Sequence, residues 1–320
     1  MKKVDSASDV YREMLAARSE NGVTQIPPHL GYGFIKGFII ENKLRVLVRQ
    51  YELKEDLLLD RGIGSEKQQY IVISFQHLFR SKDEIKSRLI KPSSVNGSLP
   101  SVQIATSGFN KEILRGGKKI NSILITVHTD YLKELLKPVT GNILLDMITC
   151  TDRSFLFEEI ISPHMQDVAS QIVLSEPPIA LQNLFYQVKA EELIYLLFAE
   201  LLKRENTTLQ HLNSSDVKKI LEVKEKVLEA IDIPPKLSEL VDLSGMSESK
   251  LKRLFKQIFG LSIYSYYQSF RMKEAAYLIR EENLSVSEAG YRVGFSNLSH
   301  FTRLFEMHNG IKPKKYAGNK

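Results

Sequence analysis

The chain has 320 residues and a mass of 36.6 kDa, which favours two domains over one, each large enough to bury its own core. With 43% hydrophobic and 26% charged residues, no apolar run near the roughly 18 residues of a membrane helix and no signal peptide, it is expected to be a folded cytoplasmic protein. The formal net charge is +6, and it is distributed unevenly along the chain.

The first part of the chain predicts a β-rich domain. Five short runs rich in β-branched or aromatic residues are separated by Gly, Pro, Ser and Asn: GYGFIKGFIIEN, KLRVLVRQYEL, QQYIVISFQHLF, VQIATSGF and KINSILITVH. Several of them alternate apolar with polar residues, which is typical of strands with one buried face. This spacing indicates a sandwich or a small, cupin-like barrel reaching to about residue 128.

Helices are predicted from residue 130 onward. The segment DYLKELLKP has helical leucine spacing after a good capping residue and stops at Pro138. Two further helices are expected over residues 155–170 and 180–204. The second has more apolar residues than one side of a solvated helix requires. We interpret this excess as packing within the N-terminal domain, with a dimer seam as the alternative.

A polar stretch, ENTTLQHLNSSD, predicts the boundary between two domains. Residues 1–204 are then an N-terminal regulatory, effector or dimerisation domain, β-rich to about 128 and helical over 130–204. Residues 205–215 form a linker, and residues 216–320 form the C-terminal domain.

The C-terminal domain holds nearly all of the excess positive charge. From Asp216 to the end there are 18 Lys and Arg against 13 Asp and Glu, which leaves 26 and 25 for the first 215 residues. Over residues 250–320 the balance is 13 basic to 5 acidic. A basic segment of this size and position favours nucleic acid as a partner, provided that a fold signal accompanies it.

An internal repeat with an offset of 50 residues supplies that signal. Residues 240–267 and 290–317 share six identical positions, which are Ser249 with Ser299, Arg253 with Arg303, Leu254 with Leu304, Phe255 with Phe305, Gly260 with Gly310 and Tyr266 with Tyr316. In the first copy, LSELVDLS predicts a short helix, Gly245 a turn, Ser247 a cap and KLKRLFKQIF a second helix that ends at Gly260.

The second copy contains the same parts. Ser285 and Glu288 predict a capping box before EAGYRV, Gly294 a turn, Asn297 a cap, and SHFTRLFEMH a second helix that ends at Gly310. A short helix, a glycine turn and a second helix with basic outer residues form a helix-turn-helix motif, which therefore occurs twice.

The exposed faces of the two second helices are the candidate DNA-binding surfaces. Their apolar residues, Leu251, Leu254 and Phe255 in one copy and Phe301, Leu304 and Phe305 in the other, must face the core. The residues assigned to DNA bases are Ser249, Lys252, Arg253, Ser299, Thr302 and Arg303. Those assigned to the DNA backbone are Ser247, Lys256, Asn297, Lys314 and Lys315, the last two beside Pro313 at a helix start.

The segment between the copies, SIYSYYQSFRMKEAAYLIREEN, predicts a helix of about 18 residues, or about 27 Å. Such a spacer could set the two recognition helices near one turn of DNA apart, about 34 Å, in successive major grooves.

Residues 237–316 resemble the double helix-turn-helix domain of AraC/XylS-type transcriptional regulators. The second copy reads VGFSNLSHFTRLFEMHNGIKPKKY, close to the family signature of VGF, x-R-x-F and G-x-x-P-x-x-Y. The first copy agrees in MSESKLKRLFKQIFGLSIYSYY, followed by Arg271, Met272, Ala275 and Leu278. The resemblance covers about a quarter of the chain in detail. It implies a transcription regulator whose β-rich N-terminal domain binds a small-molecule effector.

The chain departs from the family pattern at a few positions. Ala289 and Gly290 replace a usual Ile-Ala pair, Asn309 a usual aromatic residue and Ala317 a usual arginine. Because a glycine within a helix is about 1 kcal/mol less favourable than alanine, we expect a looser second motif with less phosphate contact.

Two other functions are alternatives to this one. A cupin-type small-molecule enzyme would need metal ligands or a nucleophile, but none of the seven histidines forms H-x-H or H-E-x-x-H, and GYGFIKG has the wrong spacing for a phosphate loop. Cys150 has no evident partner base and is expected to be a small core residue. Because it is the single cysteine of the sequence, an intrachain disulfide and a cysteine-rich zinc site are excluded. The third function is an interaction protein with an attached nucleic-acid-binding domain.

The sequence therefore predicts an α+β protein that is not an enzyme and has no metal or cofactor. Its β-rich N-terminal sandwich or cupin-like barrel has helical appendages, and its all-α C-terminal domain contains two helix-turn-helix motifs. We expect double-stranded DNA as the partner, no membrane, and RNA polymerase if the protein is an activator. The N-terminal domain is expected to bind a small-molecule effector or to form a homodimer.

Overall fold

A computed structural model describes most of the chain. The described residues are 22–60, 70–76, 78, 100–106, 111–114, 116–117, 119–137, 142–150, 154–204, 212–280 and 282–318. They divide into two compact units, the first ending at Ser214 and the second beginning at Ser215. Part of the predicted linker, residues 205–211, lies outside the described residues, and the domain boundaries stay a prediction. None of the described helices is long and apolar enough to cross a membrane.

The first unit is built on an antiparallel sheet of seven strands. Their order is β1-β2-β3-β8-β5-β6-β9, and a separate antiparallel pair joins β4 to β7. The strands are β1 (Val23–Gln25), β2 (Gly31–Ile40), β3 (Leu44–Leu53), β4 (Leu57–Asp60), β5 (Tyr70–Gln76), β6 (Ser101–Thr106), β7 (Lys111–Leu114), β8 (Lys119–His128) and β9 (Leu156–Ile160). All five runs predicted as strands are confirmed. A cupin-like barrel is not confirmed, because β1 and β9 are the edges of the sheet in the described residues.

Side chains alternate between two buried faces of this sheet, as the period of a β-strand requires. On β3, Leu44, Val46 and Val48 belong to the main core of the unit. Leu47 and Tyr51 point to the other face, where they join a smaller apolar cluster. Both faces of the central strands are therefore covered, which explains why β3 reads as a nearly continuous apolar run.

Four helices complete the first unit. They are α1 (Thr129–Leu136), α2 (Ile143–Thr149), α3 (Pro163–Leu174) and α4 (Gln182–Leu201), with a 3₁₀ turn at Ile179–Leu181. The buried side of α4, which includes Tyr186, Leu193 and Leu197, packs into the main core, and the ring of Tyr186 stacks on Phe38 at 3.5 Å between centroids. The predicted helix over 180–204 is thus confirmed, with its bounds shortened.

Three sequence interpretations in this unit are wrong. Residues 156–160 form strand β9 and not the start of a helix, which begins only at Pro163 after its cap, Ser162. The cap of α1 is His128, which is not one of the usual capping residue types, because the ring nitrogen of His128 accepts the Asp130 N–H at 3.3 Å. Cys150 is half-buried at the end of α2 and is not a core residue.

Polar side chains are buried on the face of the sheet that carries the smaller apolar cluster. Arg49 on β3 is 1% exposed and donates from Nε to Ser122 Oγ of β8 at 2.9 Å. Towards the β9 edge, Gln103 donates to Glu158 Oε2 at 2.7 Å, and Glu158 is 2% exposed. Burying a cation and a carboxylate is costly unless each is hydrogen-bonded, so these bonds fix where both side chains lie.

Within the described residues, the secondary-structure elements of the second unit are all helices. Its helices are α5 (Ser214–Val227), α6 (Leu237–Ser244), α7 (Glu248–Phe259), α8 (Ile263–Arg280), α9 (Val286–Arg292), α10 (Leu298–Asn309) and α11 (Pro313–Gly318). The predicted 18-residue connecting helix is confirmed as α8, whose buried residues lie on nearly every side. A helix that is buried on nearly every side lies within the core of its unit. The motif helices α9 and α10 and the terminal helix α11 contact it directly.

Candidate nucleic-acid interface

The first helix-turn-helix unit consists of α6, a tight turn and α7. Gly245 ends α6 with a positive φ of 60°, a conformation that glycine adopts without a Cβ clash. Ser247 then caps α7, its Oγ accepting the Lys250 N–H at 3.4 Å. The helix ends at Gly260, which has a φ of 71°. These predicted start and stop signals are confirmed, and together they fix which side of α7 faces outward.

The exposed side of α7 carries the predicted contact residues. Ser249, Lys252, Arg253 and Lys256 are all exposed, whereas Leu251, Leu254 and Phe255 are buried. The Lys252 ammonium pairs with Glu248 at 2.5 Å, one helical turn earlier. Its charge is therefore partly used within the helix, although an exposed pair of this kind contributes little to stability and opens readily.

The second helix-turn-helix motif repeats the arrangement with α9, a turn and α10. Ser285 and Glu288 form the predicted capping box, at 2.8 Å and 3.2 Å. The hydrogen bonds from Ser285 lower the pKa of the Glu288 carboxyl. Asn297 caps α10, with its Oδ1 accepting two backbone N–H groups at 3.0 Å and 3.1 Å. Gly310 ends the helix with a φ of 75°.

The caps bear on two predicted contacts to the DNA backbone. The side-chain oxygens of Ser247 and Asn297 already accept hydrogen bonds from the first turn of their own helices. Only the Ser247 hydroxyl proton and the Asn297 amide N–H groups are left to donate to a phosphate, so both residues position the helices first. Their assignment as phosphate contacts stays a prediction.

A buried arginine joins the connecting helix to the turn of the second unit. Arg271 on α8 is 6% exposed and donates from Nε to the Val293 carbonyl at 2.7 Å. Its guanidinium lies over the Phe295 ring, 3.8 Å from the centroid. Phe295 in turn contacts the rings of His300 and Phe301 on α10. Arg271 therefore positions the first turn of the second recognition helix through Phe295.

Gly290 brings α9 and α10 close together. It is buried, and a Cβ at this position would lie 2.8 Å from Leu298 Cδ2 and 3.1 Å from Phe301 Cδ1. Those distances are shorter than ordinary van der Waals contact. The expectation that this glycine only loosens the motif overlooked its packing role, since it lets the two helices approach each other.

The exposed side of α10 differs from that of α7. Ser299 and Arg303 are exposed as predicted, but Thr302 is half-buried and lies at the edge of the surface. His300 and Glu306 also lie on the exposed side, and neither was predicted as a contact residue. Counting residues along the helix would have found Glu306, because it follows Ser299 by seven positions and Arg303 by three.

The terminal helix adds two lysines to the second unit. Pro313 is buried at the start of α11, and Lys314 and Lys315 follow it in the first turn, both exposed. Lysine side chains in this place can reach a phosphate that approaches the helix N-terminus. Their contact with the DNA backbone stays a prediction.

Among the described residues, neither Arg253 nor Arg303 has a hydrogen-bond or ion-pair partner. Both occupy the same position in their helix, directly before a Leu-Phe pair whose phenylalanine is buried. The described residues contain no group of three or more His, Cys, Asp or Glu that could hold a metal ion. The arrangement offers two exposed helix faces, each with an arginine at the matching position, and defines a double helix-turn-helix protein.

Comparison with known proteins agrees with that class. Residues 240–319 match the family model described as "Helix-turn-helix domain". The chain is 32% identical over 84 residues to the "Probable transcription factor PqrA" of Proteus vulgaris, covering 26% of this chain and 69% of that protein. It is 33% identical over 124 residues to "Regulatory protein PchR" of Pseudomonas aeruginosa, covering 38% and 42%. The chain belongs to the AraC family of transcriptional regulators.

Among solved structures, an AraC-type transcriptional regulator from Chromobacterium violaceum is 27% identical, with a TM-score of 0.31 over 33% of this chain and 95% of that one. The DNA-binding domain of AdpA, solved with a target DNA, is 23% identical, with a TM-score of 0.29 over 31% and 90%. Several curated relatives are longer than the matched region, and the chain covers 30% to 54% of five of them.

Proposed function

We propose that this protein is a sequence-specific DNA-binding transcription regulator whose helices α7 and α10 enter two successive major-groove segments. The observation that carries the proposal is the pair of arginines, Arg253 and Arg303, exposed at matching positions on two capped helices. An arginine on a recognition helix is suited to bidentate contact with guanine. A regulator of this kind acts where the chromosome is, so we place it in the cytoplasm.

The test is DNA binding by the full chain. Selection from a random duplex library should enrich one preferred site, and the affinity for that site should fall steeply as salt rises, because bound phosphates release counterions. An Arg253→Ala and Arg303→Ala double variant should keep its fold and lose the preference. Equal recovery of all sequences by the unaltered chain would contradict the proposal.

The first unit is proposed to regulate DNA binding through a small-molecule effector. A self-contained basic domain can bind DNA without a further domain of about 200 residues. The first compact unit must therefore have another task. If the effector changes the affinity of the protein for DNA by some factor, DNA must change the affinity of the protein for the effector by the same factor. Calorimetry with and without DNA tests this equality.

A second role for the first unit is homodimerisation through α4. The outward side of this segment exposes Leu181, Leu184, Val188, Tyr195 and Leu202. Their separations of three, four and seven residues are those of a helix that packs along a second helix. We propose a second copy of this chain as the occupant, so sedimentation should show a dimer that Leu184→Glu converts to a monomer. Contact with RNA polymerase would follow only if the regulator is an activator.

A further inference from the structure

The two recognition helices differ in charge, although their folds match. Helix α7 contains four basic residues and one acidic residue, whereas α10 contains one arginine and one glutamate. Partial burial and the nearby charge of Lys273 lower the pKa of His308, which disfavours its charged form. The exposed face of α10 is therefore close to neutral.

The difference is concentrated at one position of the repeat. The offset of 50 residues aligns Lys256 of α7 with Glu306 of α10. Both side chains are exposed. Glu306 is on the same side of its helix as Ser299 and Arg303, so it faces whatever these two residues contact. No ion pair within the described residues neutralises its carboxylate.

We propose that Glu306 is a specificity-determining residue that repels DNA phosphates and so weakens binding of the second helix-turn-helix motif to non-cognate DNA. The proposal rests on the DNA-binding function given above. A like charge facing the phosphate backbone disfavours every complex that depends on backbone contacts, and non-specific complexes depend on them almost entirely. At the preferred site, base contacts from Ser299 and Arg303 turn this face of α10 toward the base edges, so Glu306 lies farther from the phosphates than in a non-specific complex, which depends on backbone contacts.

The proposal assigns different tasks to the two helix-turn-helix motifs. The first motif, with Lys252, Arg253 and Lys256 exposed, supplies most of the electrostatic attraction to any duplex. The second motif adds little electrostatic attraction and binds DNA tightly only where its base contacts are made. The second motif therefore contributes more to selectivity between sequences than to overall affinity.

The test replaces Glu306 by lysine in the full chain and measures binding to the library-selected duplex and to a scrambled duplex. Glu306→Lys should raise affinity for the scrambled duplex about eightfold at 0.1 M salt, which is one additional released counterion, and steepen the salt slope by about 1. Affinity for the selected duplex should rise less. Glu222→Lys on α5 is the matched control, because it makes the same charge change at another exposed position.

Each outcome decides the matter. If Glu306→Lys and Glu222→Lys raise both affinities equally, the effect is one of net charge and the proposal is wrong. If Glu306→Gln lowers affinity for the selected duplex alone, Glu306 accepts a hydrogen bond from a base, such as the cytosine amino group, and the proposal is also wrong. Salt-dependent, selective binding by the unaltered chain in the same assay keeps the proposed function separate from this inference.

Discussion

Replacing Arg271 by alanine should destabilise the second compact unit and lower its affinity for DNA. Arg271 is buried, donates a 2.7 Å hydrogen bond to the Val293 carbonyl and lies 3.8 Å from the centre of the Phe295 ring. Alanine leaves that carbonyl without its donor and removes the cation from the ring. It also leaves a space between α8 and the turn before α10.

The magnitude follows from these contacts. A hydrogen bond from a charged donor contributes about 1.5 to 3 kcal/mol, and a desolvated cation-π contact contributes about 2 kcal/mol. Burial opposes these gains, because it disfavours the charged guanidinium and lowers the pKa of Arg271. We expect a net loss of about 3 kcal/mol for Arg271→Ala and about 2 kcal/mol for Arg271→Lys, whose ammonium can donate to Val293 but has no planar guanidinium to lie on the ring.

Urea denaturation of the full chain, followed by circular dichroism at 222 nm, measures the loss. The chain has two compact units, so two transitions are expected, and only that of the second unit should move to lower urea. In DNA binding, Arg271→Ala should act like a partial loss of the second helix-turn-helix motif, because Phe295 no longer fixes the first turn of α10. A loss below about 1 kcal/mol would refute the structural role assigned to Arg271.

Three further predictions concern the second unit. Arg303→Ala should cost about 1 to 3 kcal/mol at the preferred DNA site and relax its sequence preference, whereas Lys315→Ala should weaken all duplexes alike and reduce the salt slope by about 1; a filter-binding series on both duplexes separates the two. Gly290→Ala should destabilise the unit by about 1 kcal/mol in urea, because overpacking against Phe301 exceeds the gain in helix propensity. Burial raises the pKa of Tyr267 to about 12, so folding stability should be level to about pH 10, fall between pH 10 and 12, and fall less in Tyr267→Phe thermal melts.

The helix-turn-helix units were predictable because local residues encode them. The glycines at the helix ends, the Ser and Asn caps and the capping box act within one turn of chain, so their spacing determines the bounds of α6, α7, α9 and α10. Which side of each recognition helix faces outward follows from the buried Leu and Phe positions. Helical spacing also brings Glu306 to that side, although its place in the third turn was overlooked.

Interactions between distant residues were not predictable in the same way. Strand β9 reads as a helix start because of its two glutamates, yet Gln103 and Arg204, 55 and 45 residues away from their partners, satisfy those carboxylates. Arg271 reads as a family position, but its link to Phe295 depends on how α8 crosses the turn. The role of Gly290 likewise appears only when α9 and α10 are packed together.

The most direct measurement of the central claim is a salt titration of duplex DNA binding by the full chain, made on the library-selected site and on its scrambled counterpart. The account predicts a preference for the selected site at every salt concentration, a steep linear fall of log affinity with log salt, and loss of the preference in the Arg253→Ala and Arg303→Ala double variant. Binding that is insensitive to salt, or a preference that survives removal of both arginines, would contradict it.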